Sequence, residues 1–147
     1  MKKYLFLFMF SVICIMHSCS DNNENIVNKA PIPVQQIGKG NLRNFTPQNN
    51  MVITTSAQWN NLLTTTLDNV VGMTQNNVDF NQYMVIAVFD QMYTNGGHSI
   101  DIITVDENPQ NIVVDIEKLL TGDATTIPTQ PFHIVKIPKN TKPVVFQ

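Results

Sequence analysis

The chain has 147 residues, only 14% of them charged, with nine Lys and Arg against eleven Asp and Glu and a formal net charge of -2. That length is enough for one domain with a proper hydrophobic core. No basic stripe is visible and the pI lies far from the strongly basic range, which argues against nucleic acid as a partner. At the N-terminus Lys2 and Lys3 form a positive region, and Tyr4 to Met16 is apolar, of signal-peptide length and short for a membrane span. His17-Ser18-Cys19 ends the stretch.

An apolar stretch, a small residue and then Cys resembles the lipobox of bacterial lipoproteins. In that family the leader is cut just before the Cys, which carries lipid on its thiol and amine. Met16 at the usual Leu position and His17 are departures from the motif. The resemblance implies a signal peptide over residues 1–18, lipidation of Cys19, and a protein held at the bacterial outer membrane, facing the periplasm or the surface. The plainer alternative is an ordinary secretory signal with an incidental Cys. Cys14 lies too early, inside the apolar run, and a lone exported Cys has little other use. If Cys19 is lipidated, no thiol remains for a disulfide, for catalysis or for a metal. Acyl chains contribute about 0.8 kcal/mol per buried methylene, so several on one residue anchor firmly. Loss of Lys2 and Lys3 with the leader takes Lys plus Arg from 9 to 7 against 11 acidic residues, a mature balance of -4. That is a mildly acidic solvated surface.

Residues 19–33 read as a flexible tether: Ser20 to Asn25 is polar and partly acidic, and Pro31 and Pro33 follow. Cys-Ser-Asp-Asn-Asn-Glu also resembles the acidic segment after the anchor Cys in surface-exposed Bacteroidota-type lipoproteins, with Asn diluting the charge. Residues 34–147 then form the folded domain. Gln35 to Gly40 is an expected edge strand whose glycines mark a bulge or turn, and Met51 to Thr54 is a short second strand. A helix is expected over about 55–67. Thr55 and Gln58 are spaced as a capping box, and Trp59, Leu62, Leu63 and Thr66 fall on one helical face. Trp59 is the expected anchor of that face on a sheet, and Asp68-Asn69 and Gly72 are stop signals.

Tyr83 to Phe89 is a near-continuous apolar run, the pattern of a strand buried on both faces. With the run His98 to Val105 and the intervening Thr94-Asn95-Gly96-Gly97, it reads as a hairpin. Asp106 to Gln110 is a turn, and Asn111 to Lys118 alternates with Ile112, Val114 and Ile116 inward. Pro131 to Pro138 and Pro143 to Phe146 are further strands, the last an edge strand that tolerates its initial Pro. Short links favour antiparallel neighbours. The class is α+β: a mostly antiparallel sheet of about six strands with one helix packed on it.

His98, Ser99 and Asp101 carry the letters of a hydrolytic triad. Neighbouring strand residues point to opposite faces, however, and no Gly-x-Ser-x-Gly elbow is present, so catalytic residues are not assigned and the chain is read as non-enzymatic. His98, His133 and Asp101 offer too few spaced ligands for zinc, and no metal or other cofactor is expected. Asn95-Gly96-Gly97 lacks the strand-to-helix context of a phosphate loop, and its glycines supply the positive φ of a turn. The residues around it, Met92, Tyr93, Thr94, Asn95, Gly96, Gly97 and His98, are the candidate recognition surface, since exposed Tyr and Met suit protein contacts.

Several segments occur in a telling order: Ala57-Gln58-Trp59-Asn60-Asn61-Leu62, Val78-Asp79-Phe80, Met84 to Phe89, Thr94 to Ile100, Pro131-Phe132-His133-Ile134-Val135-Lys136-Ile137-Pro138 and Lys142 to Phe146. Together they resemble the C-terminal domain of the PrcB family, lipoprotein subunits of a surface protease complex in oral spirochaetes with small exported relatives in many bacteria. The resemblance covers roughly Gln35 to the end. His98 stands where the family commonly has Tyr, and Asp90-Gln91 replaces the more typical Gly-Gln. The resemblance implies an accessory or interaction role beside a protein partner, a protease or another envelope complex, and carries over no catalytic residue. The alternative is an envelope protein that binds a small molecule or glycan near Tyr93 and His98.

Overall fold

A computed structural model describes residues 29–147, so the leader, Cys19 and most of the tether lie outside the described residues. The class is α+β, as expected. Its elements are β1 (Ala30–Pro31), β2 (Gln35–Asn41), β3 (Asn49–Ile53), α1 (Ser56–Thr65), β4 (Tyr83–Phe89), β5 (Asp101–Glu107), β6 (Ile112–Glu117), β7 (Pro131–Pro138) and β8 (Val144–Phe146). The eight strands make two four-stranded sheets, ordered β2-β7-β4-β3 and β1-β5-β6-β8, where one sheet of about six was expected.

The molecule has three layers, and the first sheet is the middle one. On one of its faces Ile53, Val85, Ala87, Phe89, Phe132 and Ile134 pack with Trp59 and Leu62 of α1. On the other, Met84, Ile86, Val88, Val135 and Ile137 pack on Ile102, Val105, Ile112 and Val114 of the second sheet. Successive residues of a strand point to opposite faces. A strand with apolar layers on both sides therefore has no polar positions, and β4 is buried from Met84 to Phe89. That part of the reading holds; its hairpin does not. β4 pairs with β3 and β7, whereas β5 pairs with β1 and β6. The two apolar runs meet face to face across the sandwich instead of sharing a ladder. The hairpin of this region is β5–β6, closed by the Asn108 N–H to the Asn111 carbonyl at 2.8 Å.

The expectation of antiparallel neighbours also fails once. β8 lies parallel to β6, pairing Ile112 with Val144 and Val114 with Phe146. The geometry is allowed because the chain crosses to the middle sheet as β7 between them, which supplies the long crossover that parallel pairing needs. The stretch read as tether ends earlier than Pro33. Ala30 and Pro31 pair with Glu107 and Asp106, Ile32 packs on the inter-sheet core, and Lys29 forms an ion pair with Asp106 at 2.9 Å.

The helix is shorter than the expected 55–67 but starts as its sequence dictates. Thr55 is the N-cap, accepting from the Gln58 N–H at 3.3 Å, while Gln58 Oε1 accepts from the Thr54 N–H at 3.0 Å. This is a capping box whose return bond lands one residue early. Thr64 and Thr65 bond back to the carbonyls of Asn60 and Asn61, a competition with the helical ladder that suits an early end. No helix among the described residues is long and apolar enough to cross a membrane.

Candidate functional site

The connection from β4 to β5 carries the candidate recognition residues, and a buried carboxylate fixes it. Asp90 follows directly on β4 and is fully buried. Its N–H donates to the Pro131 carbonyl at 3.0 Å and its carbonyl accepts from Gln130 Nε2 at 2.7 Å. Its carboxylate accepts from the Gln91 N–H, the Tyr93 hydroxyl and Lys118 Nζ at 2.8, 2.7 and 2.8 Å. A buried charge is tolerated when it is paired and hydrogen-bonded in this way. Lys118 Nζ also donates to the Tyr93 hydroxyl at 3.0 Å. Its bond to Asp90, reinforced by Tyr93, holds the ammonium above the usual lysine range.

Tyr93 stacks on His98 with ring centroids 3.6 Å apart and planes 7° from parallel. His98 Nε2 meets Asn95 Oδ1 at 3.0 Å. The loop is then laid against residues 121–129. Tyr93 and Thr129 exchange backbone bonds at 2.7 and 3.0 Å, and the carbonyls of Gly97 and Gly96 accept from the N–H groups of Gly122 and Asp123 at 3.0 and 2.9 Å. Gly97 has φ +71°, and a Cβ there would sit 2.7 Å from the Asp123 carboxyl carbon. Gly122 has φ +110°, and a Cβ there would meet His98 Nε2 at 2.6 Å. Of the pair expected to supply positive φ, Gly97 does so and Gly96 does not.

Of the seven candidate recognition residues, Met92, Thr94 and Gly97 are exposed, Tyr93, Asn95 and His98 are half-buried, and Gly96 is buried. The last four brace the loop more than they present it, a correction to the surface read from the sequence. Sequence reasoning missed the exposed neighbours Leu119 and Leu120, each 59% exposed. Leu120 is held beside the loop because its N–H donates to Ser99 Oγ at 3.0 Å and its carbonyl accepts from the Ser99 N–H at 3.1 Å. A pair of leucines in a segment without strand or helix pattern was the available signal.

His98, Ser99 and Asp101 do not assemble as base, nucleophile and orienter. His98 is turned to Tyr93 and Asn95, whereas the Ser99 hydroxyl donates to the Asp101 carboxylate. Lys39 of β2 reaches across the layers to pair with Asp101. Burial pushes the Asp101 carboxyl up, but the bonds from Lys39 and Ser99 outweigh it and leave the group below the usual aspartate value. His133 lies opposite Lys39 in the β2–β7 ladder. Its Nδ1 accepts from the Ile102 N–H at 2.9 Å, which leaves the proton on Nε2, a buried atom with no protein partner among the described residues. Burial first, and the Lys39 charge second, push this imidazole down to about 4 against a smaller opposing effect of Asp101. The two imidazoles thus serve separate networks. Among the described residues no three His, Cys, Asp or Glu side chains are grouped to hold a metal.

The cleft between these networks, lined by Lys39, His98, Ser99 and Phe132 among others, has a volume of about 110 Å³, small beside the roughly 300–1,000 Å³ of ligand pockets. What the arrangement offers is a pre-set surface. No family model matches the sequence, and neither a curated protein nor a solved structure matches it.

Proposed function

We propose that this chain is a lipid-anchored bacterial envelope protein whose domain binds another protein through the 92–98 loop and the adjoining Leu119 and Leu120, without catalysing a reaction. One observation carries the reading. The loop is fixed before any partner arrives, by the Tyr93–His98 stack and the Asp90–Tyr93–Lys118 bonds, while exposed Met92, Leu119 and Leu120 flank it. A rigid aromatic centre with exposed apolar neighbours suits a protein interface, because little conformational freedom is lost on binding. The lipid anchor at Cys19 and an accessory place beside a protease rest on the lipobox and PrcB resemblances.

Cross-linking on intact cells tests the interface. The native chain is expected to capture a defined partner, and Leu120→Ala to lower that capture by roughly tenfold or more, since a hot-spot truncation costs about 2 kcal/mol. Equal capture by both chains, or none above an unrelated lipoprotein, removes the proposal. The anchor has its own test. Native protein is expected to incorporate labelled palmitate and sediment with membranes, and Cys19→Ser to do neither.

A further inference from the structure

The two sheets have four outer edges, and three of them are protected. β1 is two residues long and contains Pro31. β8 is three residues long and follows Lys142-Pro143. β2 is bulged between Gln36 and Gly38 and carries Lys39. Residues 72–74 also cover its outer side, through the Lys39 N–H to the Gly72 carbonyl at 3.1 Å and the Thr74 N–H to the Ile37 carbonyl at 3.0 Å. Shortness, proline, lysine, a bulge and a covering loop are the means by which proteins stop a foreign strand from adding to a sheet.

Among the described residues, β3 has none of them. It is five residues long, keeps an unbroken register against β4, and contains neither a charge nor a proline. Among the described residues, no backbone hydrogen bond reaches its outer side. Beside it, between the strand and α1, runs a groove of about 280 Å³. Met51, Leu62 and Phe89 give it apolar surface, and Gln48, Asn61 and Thr65 give it amides and a hydroxyl. Among the described residues, no charged side chain lines it. The sequence explains why: between Arg43 and Asp68 there is not one charged residue.

We infer that β3 accepts an extended, uncharged segment of a partner protein as a fifth strand of the middle sheet. The unpaired N–H and C=O groups of β3 hold the backbone of that segment, as in strand addition generally. Met51 and Ile53 face the α1 side while Val52 faces the second sheet. Every second side chain of the added strand therefore lies over the groove. A carboxylate or ammonium entering it loses water and finds no counter-charge, whereas neutral side chains find amides and apolar surface. This surface is separate from the 92–98 loop, and the two stand or fall independently.

The test pans a phage-displayed random dodecamer library on the full-length chain in detergent micelles, then follows amide hydrogen exchange with the enriched peptides. The expected peptides carry no Asp, Glu, Lys or Arg over a five-residue stretch, and the protection they give is confined to β3. Asn49 is exposed and lines the groove. Asn49→Lys is expected to weaken binding by about tenfold or more with an unchanged melting curve, while Leu120→Ala leaves binding intact. Charged consensus sequences, protection elsewhere, indifference to Asn49→Lys, or no enrichment overturn the inference. So does a β3-mediated dimer of the chain that excludes the peptides.

Discussion

Trp59→Ala is expected to destabilise the domain by about 4 kcal/mol, the range found when a large aromatic is removed from a packed core. Trp59 is 2% exposed and is the largest side chain that α1 places on the middle sheet. It also ties down the segment after the helix, since its Nε1–H donates to the Asn76 carbonyl at 2.7 Å. α1 has ten residues and a run of threonines at its end, too short and too poor in helix formers to persist without packing. Trp59 is therefore the main, though not the sole, anchor of the layer above the middle sheet, beside Leu62. Trp59→Phe keeps most of the apolar contact and loses the hydrogen bond, for an expected cost of about 1–2 kcal/mol. Urea denaturation of both variants decides the matter. A loss below about 1 kcal/mol for Trp59→Ala shows that the helix does not depend on the contact. Against a total stability of about 5–15 kcal/mol, that loss removes between roughly a quarter and four fifths of it.

The second large effect is expected in mild acid. His133 is buried and neutral in the fold, with its affinity for a proton lowered from 6.5 to about 4. The unfolded chain takes up that proton as the pH falls through 6.5, and the folded chain does not until about 4. Between those values the unfolded state binds more protons, so stability falls with falling pH, at up to about 1.4 kcal/mol per unit. The loss reaches about 2 kcal/mol by pH 5 and about 3 kcal/mol once the folded form titrates. Asp101, Asp106, Glu107 and Asp123 all titrate below their ordinary values of 3.8 or 4.5, so their contributions are lost in stronger acid. Urea midpoints at pH 7, 6 and 5 isolate the imidazole. His133→Gln is expected to flatten the profile over that interval. A native chain equally stable at pH 7 and pH 5 contradicts the assignment.

The sequence announced the elements far better than their partners. The unbroken run from Met84 to Phe89 declared burial on both faces, and the spacing of Trp59, Leu62 and Leu63 declared a helix lying on that sheet. Neither pattern says what covers the opposite face. Ile102 and Val105 look the same whether they belong to a neighbouring strand or to a facing sheet, because apolar periodicity records burial and not hydrogen-bond partners. The bulge between Ile102 and Thr104, which leaves Ile103 42% exposed, further blurred the alternation. The 92–98 loop was recognisable from its glycines and aromatics. Its bracing was not, because Lys118 stands 28 residues from Asp90 and Lys39 stands 62 from Asp101. Such pairings depend on topology. An aspartate closing a wholly apolar strand, as Asp90 does, was the one local sign that a buried charge needed company.

The parallel seating of β8 on β6 sets an order of assembly. β8 follows β7 in the chain and closes one sheet on β6, while β7 lies inside the other between β2 and β4. A polypeptide made from its N-terminus thus cannot complete either sheet before β7 and β8 have emerged. Sheets built from such distant pairings close slowly. The same connectivity that locks the finished sandwich keeps both sheets open until the C-terminal strands are available.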